Sequence, residues 1–232
     1  HATGYGDDPW TAKAKDAIAG LFETDCEVHF VFNGTAANAL ALAQLCRPHH
    51  AVIVHAASHV DTDEAGAPEF FSGGAKLMTA DTPLAKLTPE AVASLATRYS
   101  GVHHVKARAL SLSQATELGT VYTAAEIKAL TAAARNYGLA VHMDGARLAN
   151  AVVASGIPAS AFGATADSVS VCFSKGLGAP VGSAICGDAA FLERARRVRK
   201  RLGGWMRQAG VIAAAALHAL EHHVDRLRED HA

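Results

Sequence analysis

No stretch of about 18 apolar residues free of charge occurs in the sequence, which excludes an ordinary membrane-spanning helix. There is no CxxC pair, no HExxH and no Cys/His cluster, so no metal site is expected despite the many histidines. No GxGxxG follows the first strand-like segment, which argues against a dinucleotide-binding enzyme. An excess of either charge is also missing. The formal net charge of −1 gives no reason to expect nucleic acid or an anionic membrane as partner. The four cysteines, Cys26, Cys46, Cys172 and Cys186, are scattered, two of them in apolar runs. Buried free thiols in a cytoplasmic protein are the expectation. The chain starts with His1 rather than Met and shows no signal-peptide pattern, so it reads as trimmed or partial.

What is present is globular. Of 232 residues, half are apolar and 19% charged, enough for one large domain or a domain and part of a second. Asp8-Pro9 starts a helix over Thr11–Glu23, with Asp as N-cap and Pro at the first position. Glu27–Phe32 reads as a strand. Asn33-Gly34-Thr35 then opens an Ala/Leu helix running to about Cys46. Ala51–His55, Ala75–Ala80, Leu139–Met143, Val169–Phe173 and Gly182–Cys186 are further strands, and Val105–Ser113 ends in one, Ala109–Ser113. Thr123-Ala-Ala-Glu126 is a capping box for a helix ended by Gly138. Asp188 caps a basic helix through about Leu202, and Trp205–Glu229 reads as one last helix. Strands alternating with helices, and buried on both faces, predict a three-layer α/β/α fold on a mainly parallel sheet.

The residue that stands out is Lys175. Small and apolar residues precede it and a Gly/Pro-rich loop, Gly176–Gly182, follows. Burial there disfavours the ammonium form and favours a nucleophilic amine, the chemistry of a Schiff base with a carbonyl cofactor. Other polar points also fall at strand ends. Gly34-Thr35, between strand and helix N-terminus, forms either a phosphate cradle or an ordinary turn capped by Asn33 or Thr35. His59 follows the Ala51–His55 strand and lines a crevice there, or else is a capping or solvated histidine. Asp144 and Arg147 lie where open parallel sheets bind ligands; alternatively Asp144 caps the next helix and Arg147 pairs with an acid. The run Arg194–Arg201 has the spacing of a helix face and could also reach a phosphate. As a set, these groups match the needs of pyridoxal 5′-phosphate: an amine for the aldehyde, a carboxylate for the ring nitrogen, a flat ring partner, a helix N-terminus for the phosphate and an arginine for a substrate carboxylate.

The motifs YGDDP, GTAAN, SHxxxDEAGAPEF, HMDGAR, SKGLGAPVGS and GGWMRQ, spread from Tyr5 to Gln208, resemble those of the low-specificity L-threonine aldolases. These are pyridoxal 5′-phosphate enzymes of the aspartate-aminotransferase fold (fold type I); the stretch from Ser58 also resembles the phenylserine aldolases. The resemblance implies retro-aldol cleavage of L-threonine or L-allo-threonine to glycine and an aldehyde. It implies that Lys175 bonds the cofactor, Asp144 holds the pyridine nitrogen and His59 stacks on the ring and assists proton transfer, the three being the catalytic residues. It further implies that Gly34, Thr35 and Ser174 bind phosphate and that Arg147 binds the substrate carboxylate. Lys200 resembles a lysine that reaches a neighbouring subunit's phosphate, which implies a homodimer or homotetramer with active sites at the dimer interface; the other charges of Arg194–Arg201 are expected to form a solvated helix face. Some family members carry a histidine where this chain has Glu117. Residues 1–203 are expected to form the cofactor domain, with 204–232 leading toward a small C-terminal domain largely absent from this chain. The alternatives are another lyase on the same cofactor, such as a β-eliminating one, or a non-catalytic truncated subunit.

Overall fold

The computed structural model describes residues 2–232. Helix α1 (Pro9–Phe22) begins as expected, with Asp8 accepting from the Thr11 N–H at 2.9 Å. Strand β1 (Glu27–Val31) leads into α2 (Gly34–Leu45), and β2 (His50–His55) into the short helices α3 (His59–Thr62) and α4 (Ala67–Ser72). Then come β3 (Lys76–Ala80), α5 (Pro89–Thr97), β4 (Lys106–Ser113) and α6 (Ala124–Asn136), the last with the complete Thr123/Glu126 capping box. The chain continues through β5 (Ala140–Gly145), α7 (Leu148–Ser155), α8 (Ala159–Gly163), β6 (Ser168–Cys172), β7 (Ser183–Gly187) and α9 (Ala189–Arg201). It closes with α10 (Ala209–His222) and α11 (Leu227–Asp230). No helix among the described residues is long and apolar enough to cross a membrane.

The seven strands form one sheet in the order β1-β7-β6-β5-β4-β2-β3. Only β7 runs against the rest: it is antiparallel to both neighbours, and the remaining pairs are parallel. Six strands therefore point their C-terminal ends at one edge.

Alternation along the strands divides the residues between two faces. Val28, Phe30, Ile53, Leu110, Leu112, Val141, Met143, Val169 and Val171 join the large apolar core with α1, α5, α6, α8 and α10. The opposite face meets α2, whose residues Ala36–Leu42 are all buried, with α9 packed beyond it. On that face the central strands are polar: Ser111, His142, Asp144, Ser168 and Ser170 are all buried. The sheet thus has an apolar side that holds the fold and a polar layer beneath one helix.

Some expectations need correction. The last helix is not continuous over Trp205–Glu229. The Trp205 indole donates to the Tyr5 carbonyl at 2.8 Å and the Arg207 carbonyl accepts from Tyr5 N–H at 2.8 Å, so residues before Ala209 are taken up by the N-terminal loop. The basic helix is not uniformly solvated either. Arg199 is only 6% exposed and donates from Nε to the Phe30 carbonyl at 3.0 Å.

Candidate active site

The edge formed by the six strand ends collects the polar residues singled out in the sequence. The turn after β1 carries Gly34 and Thr35, and His59 opens α3 beyond β2. Glu117 lies in the loop after β4, Asp144 within β5 itself, and Ser174 and Lys175 just past β6. Helix α9 runs back from the far end of β7, and its 13 residues span about 20 Å, enough to return Lys200 to the same edge.

Asn33, not Thr35, caps α2: its Oδ1 accepts from the Ala36 N–H at 2.9 Å, and its carbonyl accepts from Ala37 N–H at 3.2 Å. The N–H groups of Gly34 and Thr35 have no acceptor among the described residues and form the positive end of the helix dipole. A Cβ at Gly34 would lie 3.2 Å from Cys172 Sγ, so glycine lets this turn sit close against β6.

Asp144 is 5% exposed. Its Oδ2 accepts from Asn38 Nδ2 at 2.7 Å and its Oδ1 from the Ala146 N–H at 3.0 Å, so it does not cap α7. Glu64 is likewise buried, and its Oε1 accepts from Asn38 Nδ2 at 2.8 Å and faces His59 Nδ1 at 2.9 Å. Burial raises the Glu64 carboxyl above its ordinary value, against the opposing effect of these hydrogen bonds. His142 has no exposed surface, and burial lowers its imidazole to about 4. Glu117 anchors the backbone of His59: its Oε1 accepts from the His59 N–H and from Ser113 Oγ, both at 2.8 Å. The second carboxyl oxygens of Glu64 and Glu117 are buried without a partner among the described residues. Each of the two carboxyl groups hydrogen-bonded to His59 therefore keeps one unfilled oxygen.

Lys175 is half-buried and Ser174 exposed, a more open setting than a buried strand end. The loop around them is held by hydrogen bonds from Gly178 N–H to the Lys175 carbonyl and from Ala179 N–H to the Phe173 carbonyl, both at 2.8 Å. Gly178 has φ of +68°, a conformation that favours glycine. Arg147 is exposed and has no ion pair among the described residues. Lys200 lies over the Tyr5 ring at 4.8 Å, beside Arg207 at 5.0 Å.

Sequence reasoning did not single out Asn38, Glu64, His142 or Ser170. The available signal was an asparagine on an otherwise Ala/Leu helix, four positions past Gly34 and so on the same helix face. A cavity of about 590 Å³ lined by Phe22, Cys26, Asp167 and Cys186 lies at the opposite edge of the sheet, away from these residues.

A lone antiparallel strand in a mainly parallel sheet, with a lysine, a buried carboxylate and a helix N-terminus at one edge, defines a class of α/β proteins built to hold an anionic cofactor. Residues 1–232 match the family model for β-eliminating lyases, and the chain belongs to that family. It is 55% identical over 151 residues to a low-specificity L-threonine aldolase of Pseudomonas aeruginosa, an alignment covering 65% of this chain and 44% of that one. The corresponding Escherichia coli protein is 37% identical over 227 residues, 98% of this chain and 67% of the relative. The aligned region thus spans less than half the length of the Pseudomonas relative. Among solved structures, a threonine aldolase of Leishmania major superposes with a TM-score of 0.90 at 30% identity, over 97% of this chain and 66% of that one. A serine palmitoyltransferase from S. paucimobilis superposes at 0.71 with 18% identity over 99% of this chain and 55% of that one, and shares the fold.

Proposed function

We propose that the protein is a pyridoxal 5′-phosphate-dependent aldolase cleaving β-hydroxy-α-amino acids, L-threonine and L-allo-threonine among them, to glycine and an aldehyde. One observation carries this reading: Asp144 and Lys175 leave neighbouring parallel strands at the edge where α2 presents its N-terminus. Relatives named threonine aldolases support the choice of reaction.

The residues fit the cofactor. The unfilled N–H groups of Gly34 and Thr35, with the exposed Ser174 hydroxyl, suit a phosphate. Asp144, held by Asn38 and Ala146, suits a protonated pyridine nitrogen. Lys175 supplies the amine for the aldehyde carbon and His59 the flat partner for the ring face. When bound, pyridoxal 5′-phosphate supplies an electron sink for the pair released as the substrate's Cα–Cβ bond breaks.

Arg147 binds the substrate carboxylate, its guanidinium exposed and without an ion pair among the described residues. His59 Nε2 takes the β-hydroxyl proton, directly or through an ordered water, because Nδ1 is turned to Glu64. Glu117 stands behind it as a second acceptor with an unpartnered Oε2. Lys200 reaches a neighbouring subunit's phosphate, giving a homodimer or homotetramer with shared active sites. Within the whole protein, residues 1–203 act as the cofactor domain and 204–232 lead toward a second, smaller one.

Incubation of the cofactor-loaded protein with L-threonine tests the reaction. Glycine and acetaldehyde are expected. Release of 2-oxobutyrate would instead identify β-elimination and overturn the aldolase reading.

A further inference from the structure

Asn38 is 1% exposed and lies between α2 and the polar face of the sheet. Its amide has two donor protons and two acceptor positions, and all are used. Nδ2 donates to Glu64 Oε1 at 2.8 Å and to Asp144 Oδ2 at 2.7 Å. Oδ1 accepts from Ser170 Oγ at 3.2 Å and from His142 Nε2 at 3.1 Å. Turning the amide over would set its oxygen against two carboxyl groups, so one orientation alone satisfies the site. That orientation makes His142 the Nε2–H tautomer, with Nδ1 accepting from Ser168 Oγ at 2.9 Å.

The chain of contacts continues outward. Glu64 Oε1 faces His59 Nδ1 at 2.9 Å as well as Asn38. An oxygen that accepts from both requires His59 to carry its proton on Nδ1, which leaves the lone pair on Nε2. His59, Glu64, Asn38 and Asp144 are therefore joined by three direct hydrogen bonds with no gap.

We propose that Asn38 is a positioning residue: by bridging Glu64 to Asp144 it sets, with one side chain, both the tautomer of His59 and the orientation of the Asp144 carboxylate. Its catalytic consequence rests on the cofactor reading given above; its effect on His59 does not need the cofactor. Glu64 acts as the intermediate link, and only its Oε1 acceptor is required. Glutamine at that position keeps such an acceptor and alanine removes it.

The decisive measurement is ¹⁵N NMR of the His59 imidazole in cofactor-free protein, the signal identified by its loss in His59→Gln and folding checked by circular dichroism. The wild type and Glu64→Gln are expected to show a single Nδ1–H tautomer. Asn38→Ala and Glu64→Ala are expected to show a mixture of tautomers. Asn38→Leu keeps similar bulk without the donors, and takes the place of Asn38→Ala should that variant not fold. In cofactor-loaded protein, Asn38→Ala should lower kcat on L-threonine by roughly ten- to a hundredfold, with KM changed far less. A folded Asn38 variant that retains the single wild-type tautomer overturns the proposal. Should the wild type release no acetaldehyde while the tautomer pattern is as expected, the reaction assignment fails and the positioning role of Asn38 stands.

Discussion

His223 Nδ1 lies 2.6 Å from the carbonyl oxygen of Leu177, two residues beyond Lys175. The C-terminal end of α10 is thereby fastened to the loop that presents the lysine. His223→Ala removes a hydrogen bond of about 1 kcal/mol. The melting temperature should fall by about 2–4 °C. Pyridoxal 5′-phosphate should also be lost faster on dialysis. Unchanged cofactor retention would mean that the loop holds its shape without this contact.

Lys175→Ala should abolish the visible absorption of bound cofactor, and an unchanged spectrum contradicts its role. Asp144→Ala should reduce kcat by about a hundredfold or more while cofactor affinity changes much less. If rate and affinity fall equally, Asp144 is a structural group.

Two histidines, the half-buried His29 and the buried His142, contribute to the acid limb of stability. Burial, followed by the nearby Arg199 charge, lowers His29 to about 4 from its ordinary 6.5. Burial does the same to His142. The folded protein therefore binds fewer protons than the unfolded chain between these values. Stability from both groups is complete above 6.5 and is lost as pH falls from 6.5 toward 4. The slope is at most about 1.4 kcal/mol per pH unit for each histidine. Urea midpoints across this window should drop with acidity in the wild type, and less steeply in His29→Gln. Parallel curves for the two proteins would exclude His29 from the effect.

The four thiols should differ sharply in reactivity. Hydrogen bonding with Cys186 lowers Cys26 to about 7, against its own burial and the nearby Glu27 and Asp25. Burial pushes Cys46 up to about 12 and also raises Cys172, while the hydrogen bond with Cys26, followed by burial, raises Cys186. Iodoacetamide at mildly alkaline pH should label Cys26 first, because the thiolate is the nucleophile. Peptide mapping that finds Cys46 modified at the same rate would contradict this order.

Features coded within a few residues were legible in the sequence. Asp8-Pro9, the Thr123/Glu126 box and the Asp188 cap all appear where local chemistry places them. The apolar strands and their order of presentation were legible for the same reason, and with them the gathering of Gly34, His59, Asp144 and Lys175 at strand ends. The short helices α3, α4 and α8 were not, since four to six residues carry no periodic signal. Asn38 was missed because its partners Glu64, His142, Asp144 and Ser170 stand 26 to 132 positions away. Their meeting depends on strand alternation and the path of α2 over the sheet. Arg199 looked like one more solvated charge until Trp205 and the Phe30 carbonyl enclosed it, with the guanidinium 5.9 Å from the Trp205 ring.

That buried arginine has a consequence for assembly. Strand β1 borders the sheet, and a border strand with free carbonyls invites another chain to add to it. Arg199 occupies the Phe30 carbonyl from outside the ladder. At the other border β3 is only five residues long and begins with the exposed Lys76. Neither border therefore offers a continuous backbone template onto which another chain could extend the sheet.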